Sequence, residues 1–220
     1  GRTFGGGDYD VFVARMDKDL TTLERAIYMG GYSNDFANAL CIHPTTYDVI
    51  VAGCTYSRNF PVRNGYFTMA RGAADAFLTV LARDLTAIKY STFLGGAADD
   101  SAHALSFNKS DNVIYVSGWT LSPNFPTTVG AFSRTPAGGK DAFLSKFDVR
   151  FTGAGSLYAS TYLGGTNDDM AWAVMAETAA VHGVWVAGET WSTNFPAQMK
   201  GLQSFLNGDE AIEGLATGLP

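Results

Sequence analysis

Asn59-Phe60-Pro61 returns as Asn124-Phe125-Pro126 and again as Asn194-Phe195-Pro196. Three further markers keep register with it. Gly30-Gly31 recurs as Gly95-Gly96 and Gly164-Gly165, each time after an aromatic or apolar pair. Gly53, Gly118 and Gly188 are each followed by Thr two residues later and by Ser four later. Asp10-Val11-Phe12 recurs as Asp75-Ala76-Phe77 and Asp141-Ala142-Phe143. Self-similarity at a period of about 65 to 70 residues signals a repeat architecture, in which each unit buries its apolar face against its neighbours.

Each repeat reads as four short strands. In the middle one, Ser101 to Phe107 alternates, with Ala102, Ala104 and Ser106 expected on one face and Ser101, His103, Leu105 and Phe107 on the other. Asn108 to Asn112 has turn chemistry, and Val113 to Gly118 is β-branched and aromatic. Trp119 to Lys140 reads as a long connection because Pro126 cannot join a central ladder. The third and fourth strands are expected at Asp141 to Phe147 and Ser156 to Leu163. No segment sustains a 3.6-residue period, so helix content should be low.

Four antiparallel strands joined by hairpins make a small twisted sheet with two faces to cover. Stacking such sheets about an axis covers both. The small residues of the first strand (Ala37 and Ala39, Ala102 and Ala104, Ala171 and Ala173) suit the crowded innermost position. The expected fold is therefore all-β, a β-propeller of four-stranded antiparallel blades. A β-solenoid is less favoured, because its coils are much shorter.

Composition excludes several functions. Net charge is −6 and the 15 Lys and Arg residues are scattered, which does not suit nucleic acid. No stretch approaches 18 apolar residues, so no transmembrane helix is expected. Cys41 and Cys54 occupy non-repeating slots. In a hairpin of 36–42 with 48–54, Cys41 lies opposite Val49 and Cys54 opposite Phe36, too far apart to bond, so both thiols should be free.

The string Phe93-Leu94-Gly95-Gly96, Asp99-Asp100, Val113 to Ser122, Phe125-Pro126 and Gly138 to Phe143 resembles the SBBP (seven-bladed β-propeller) repeat. The resemblance covers nearly the whole chain. Departures are Asn34 in place of the first acid and a degenerate Glu210-Ala211-Ile212 in the last repeat. It implies a propeller within large secreted or cell-surface proteins, with no catalytic motif attached.

On this reading the 220 residues form a single repeat domain of about three blade-equivalents, a partial ring. Residues 1–30 are the outer strands of a preceding blade, 31–95 and 96–164 are complete blades, and 165–220 hold the inner strands of a last, incomplete one with a weak third strand near 210–216. Seven blades need roughly twice this length at this period. The expectation is a piece of a longer ring, with pairing of partial rings between chains, or an open stack, as alternatives.

Asp99-Asp100, Asp168-Asp169 and Asn34-Asp35 lie in Gly-rich turns before the first strands. Carboxylates in such loops can hold calcium, so Asp35, Asp99, Asp100, Asp168 and Asp169 are candidate metal ligands; bonding of nearby backbone amides is the preferred role. Asp10, Asp75 and Asp141, with Thr55, Thr120 and Thr190, recur in every repeat and are read as framework. Recognition is sought where the repeats differ. Asn38, His103 and Trp172 share one slot on the first strand, near the expected channel mouth, and His103 could titrate near neutral pH. Cys54, Trp119 and Glu189 share a second slot, beside Tyr56, Leu121 and Trp191. Asn38, His103, Trp172, Trp119 and Trp191 are the ligand-binding candidates, against the plainer role of filling gaps between sheets.

No zinc spacing, nucleophile elbow or phosphate loop is present in the sequence. The expected function is that of a non-enzymatic extracellular or cell-surface scaffold or protein/glycan interaction module without an obligatory cofactor. Its partners would be other chains or further blades, with glycans as a further class. The alternatives are a carbohydrate-active enzyme or lectin using the channel face, and a calcium-stabilised scaffold.

Overall fold

The computed structural model describes residues 3–150, 152–177 and 183–197. Twelve strands are described, in chain order β1 (Val11–Met16), β2 (Leu23–Met29), β3 (Asp35–Ile42), β4 (Val49–Thr55), β5 (Asp75–Leu81), β6 (Ile88–Leu94), β7 (Asp100–Asn108), β8 (Val113–Thr120), β9 (Asp141–Phe147), β10 (Leu157–Leu163), β11 (Asp169–Ala176) and β12 (Val184–Thr190). They form two four-stranded antiparallel sheets, β3-β4-β5-β6 and β7-β8-β9-β10, flanked by two-stranded sheets β1-β2 and β11-β12. One short 3-10 turn, Gly153–Ser156, precedes β10. The chain is all-β, and no described helix is long and apolar enough to cross a membrane. The third strand expected near 210–216 lies outside the described residues.

Alternation along each strand feeds two separate cores. Ile50, Ala52, Leu78, Val80 and Tyr90 point from the first complete sheet toward Ile114, Val116, Phe143 and Tyr162 of the next. Val49, Val51, Phe77, Leu81 and Phe93, one residue out of phase, meet Val11, Val13 and Met29 of the β1-β2 sheet. Val113 and Tyr115 meet Val174 and Ala176 in a third, smaller core. Both faces of each four-stranded sheet are thus covered, which is why β5 is buried along its whole length. Such burial contributes about 25 cal/mol for each Å² of apolar surface removed from water.

The hairpin turns follow their side chains. Asn108 Oδ1 accepts from Ser110 N (2.8 Å) and Asp111 N (3.1 Å), closing the β7–β8 turn. His43 Nδ1 does the same for Thr45 and Thr46 in the preceding repeat, at 3.2 Å each.

One expectation about the first strands is corrected. The pairing register shifts between Ala37 and Ala39, between Ala102 and Ala104, and between Ala171 and Ala173. The residue between each Ala pair is an extra one, a β-bulge, and it reverses the parity of everything after it. Ala102 therefore faces the first core, while Ala104 packs against the third. The bulge also moves Cys41 opposite Ile50 instead of Val49, whereas Cys54 does lie opposite Phe36. Both cysteines are free thiols. Burial raises both above the ordinary value, Cys41 to about 11, so neither is an activated nucleophile.

The long connections are not merely loops thrown outward. Arg63 and Phe67 bridge antiparallel to Ser91 and Phe93 on β6. In the next repeat Thr128 N donates to Ser160 O (3.1 Å) and Tyr162 N to Ser133 O (3.2 Å) along β10. Each complete sheet thereby has its outer edge covered, which removes a template for unwanted strand pairing.

Candidate functional site

The repeated markers assemble at the link from one sheet to the next. Asp100 Oδ2 accepts from Gly96 N (2.8 Å) and Ser122 Oγ (2.7 Å), and its Oδ1 accepts from the Thr120 hydroxyl. Asn124 Oδ1 accepts from Ala97 N (2.8 Å), and Ser122 Oγ from Ala98 N (2.9 Å). Phe125 then enters the core against Phe143, ring centroids 4.6 Å apart. The same unit stands at Gly31-Asp35-Ser57-Asn59 and at Gly165-Asp169-Ser192-Asn194. A side chain on Gly96 would strike Ser122 and Asn124, so only glycine lets the turn sit this close.

The two acids of each turn diverge. Asp99 Oδ1 accepts from Ala74 N (3.0 Å) and Asp168 Oδ1 from Lys140 N (2.9 Å), both tying the start of a third strand to the following sheet. Asn34 Oδ1 accepts the equivalent bond from Tyr9 N (3.3 Å) and a shorter one from Asp8 N (2.7 Å), so an amide serves where only an acceptor is required. Asp35, Asp100 and Asp169 turn the other way, into the buried hydroxyl-lined pocket. Among the described residues no three metal-ligating side chains converge.

A second row of carboxylates stands behind the first. Asp75 Oδ1 and Asp100 Oδ2 flank Gly95 so closely that a Cβ there would strike both; Asp10 with Asp35 at Gly30, and Asp141 with Asp169 at Gly164, repeat the arrangement. Burial pushes the carboxyls of Asp35, Asp75 and Asp141 upward, and that of Asp100 up to about 6. Desolvation of the charged form outweighs the hydrogen bonds that favour it.

The varied residues occupy the bulges. Asn38, His103 and Trp172 are the extra residues of the three bulges. Asn38 Nδ2 donates to Ala102 O (2.8 Å) beside the bulge of the next repeat. The His103 ring meets the Trp172 ring edge-on at 4.4 Å, and Trp119 lies 6.5 Å from His103. His103 Nε2 is buried without a hydrogen-bond partner, and burial, aided by Lys140, lowers its pKa. Three of the five candidates thus form one cluster, with Trp172 42% exposed. Trp191 is not in that cluster; it is 52% exposed at the exit of β12, where its backbone binds Asp168 and Asn167.

Lys140 was not foreseen. Its ammonium lies 4.6 Å over the Trp119 ring, a cation–π contact. Its slot holds Tyr9 and Ala74 in the other repeats, and that variability is the one signal the sequence offers. Compared with known protein families and with curated proteins, the chain matches none.

Proposed function

We propose that the chain is an arc of a β-propeller, similar to SBBP-type repeats, serving outside the cell or on its surface as a non-enzymatic scaffold and interaction module. The observation that carries this reading is the division of labour at the sheet links. Asp35, Asp100 and Asp169 make nearly the same internal bonds in each repeat, while side chains that differ between repeats occupy the bulges. Groups spent on internal bonds at every link are framework. Small-angle scattering tests the arrangement: radially disposed sheets give a curved arc, and a straight stack of equal length gives a rod, which would reject the propeller.

A glycan-binding role is favoured by one feature, the exposed Trp172 standing against the imidazole of His103. An indole face stacks on the apolar face of a sugar, and a buried polar atom left unpaired in a native fold invites a functional explanation. A glycan array read for binding and hydrolysis separates the readings. Binding lost in Trp172→Ala at unchanged melting temperature supports recognition. Turnover lost in His103→Ala overturns the non-enzymatic assignment.

A further inference from the structure

One buried oxygen in the middle link has no donor. Asp75 opens β5 and Asp100 opens β7, so the two acids belong to the two complete sheets, and they are 1% and 0% exposed. Asp75 Oδ2 accepts from Arg71 N (2.9 Å) and Gly72 N (3.1 Å) in the connection before its strand. Its Oδ1 has no hydrogen-bond partner among the described residues. That oxygen is turned toward Gly95, where a Cβ would lie 2.3 Å from it and 2.5 Å from Asp100 Oδ2. The two carboxyls face each other across a space that admits no side chain.

Hydroxyl donors fix the other side of that space. Thr120 Oγ1 accepts from Ser122 N (2.9 Å) and Ser122 Oγ from Ala98 N (2.9 Å), which leaves each hydroxyl hydrogen for Asp100. With Gly96 N, Asp100 receives three hydrogen bonds and acts as an acceptor alone. Asp75 Oδ1 is then the one oxygen of the four without a donor, and a proton there gives it a role. With no proton at all, two like charges would share one buried space, and the second ionisation is strongly opposed.

The neighbouring charges do not relieve the pair. Arg71, which favours the charged form of Asp75, is exposed, with its guanidinium 4.1 Å over the Phe67 ring. Asp99 adds a like charge. Tyr162, pushed up to about 12 by burial, keeps its own proton in a bond to Ser122 O (2.7 Å). Burial raises both carboxyls and the charge of Asp75 adds to the rise at Asp100, so the upper titration belongs to the pair.

We propose that Asp75 and Asp100 hold one proton between them, and that this proton latches the first complete sheet to the second. The same geometry stands at Asp10 Oδ1 with Asp35 Oδ2 and at Asp141 Oδ1 with Asp169 Oδ2. The folded pair binds its proton more tightly than unfolded carboxyls do. The latch is therefore fully engaged below the unfolded pKa and loosens as pH rises through the upper step of the pair. It needs only β5, β7 and the turns beside them, and holds whether the sheets lie on an arc or in a straight stack.

The test follows the carboxyl carbon resonances of Asp75 and Asp100 by NMR from about pH 3 to about pH 8, in the parent and in Asp75→Asn. The amide of that variant keeps an acceptor for Arg71 N and Gly72 N and offers an N–H where the proton sat, so the fold should survive. In the parent both resonances should move in the same two steps, the upper one at about pH 6. In Asp75→Asn the upper step at Asp100 should vanish, and the variant should lose less melting temperature than the parent between about pH 5 and about pH 8. Asp99→Asn removes the like charge but keeps an acceptor for Ala74 N, as Asn34 does for Tyr9 N, and should retain both steps. Separate single steps in the parent, an upper step at Asp100 that survives Asp75→Asn, or its loss in Asp99→Asn would each overturn the proposal. An upper step abolished by millimolar calcium would assign the space to a cation and overturn it as well. Should Asp75→Asn fail to fold, the shared steps of the parent and of Asp99→Asn decide.

Discussion

Asp100 illustrates how a framework residue acquires a titration of its own. Its carboxyl is fully buried, accepts from Gly96, Thr120 and Ser122, and faces Asp75 across Gly95. Burial raises its pKa to about 6. A folded value above the unfolded one means the folded state holds the proton more tightly. This group's contribution is therefore fully present below the unfolded pKa, about pH 4, and is lost as pH rises through about 6. At 1.36 kcal/mol per unit it is worth roughly 3 kcal/mol across that window. Asp100→Asn cannot titrate, so denaturant unfolding of the variant should show a shallower fall in stability from pH 4 to 6.5. An unchanged slope would mean that the carboxyl is already ionised at pH 4.

At the scale of the element, the bulge and its facing glycine are one device. A Cβ on Gly53, Gly118 or Gly188 would collide with the carbonyl oxygen of Phe36, Ser101 or Met170, on the residue just before each Ala pair. Backbone cannot yield as a side-chain tip does, so Gly118→Ala should cost on the order of 3 kcal/mol in urea unfolding. Ala104→Gly, which changes the same strand without that collision, should cost only about 1 kcal/mol. Equal losses would dismiss the close approach as the reason for the glycine. The strands themselves were legible because alternation and turn residues act locally, as Val113 to Gly118 and Asn108 show. The bulge was not, since counting by twos assumes no inserted residue, and Ala102-His103-Ala104 satisfies that count either way. Its trace in the sequence was the fixed glycine on the neighbouring strand. The cluster at His103 was half legible: variable slots pointed to His103, Trp119 and Trp172, but the placing of Lys140 over Trp119 depends on which sheet lies beside which.

At the scale of the whole molecule, stability should be unequal along the stack. Among the described residues each four-stranded sheet borders two cores, whereas β1-β2 and β11-β12 each border one. The core beneath β11-β12 is the smallest, with Val113, Tyr115, Val174 and Ala176 as its buried members. In a nearest-neighbour array, opening an end unit forfeits one interface and opening an interior unit forfeits two. Amide hydrogen exchange of the single chain should therefore release β11-β12 first and β1-β2 next, with β4, β5, β8 and β9 last. Release of β4 or β5 ahead of β11-β12 would reject the nearest-neighbour account of these sheets.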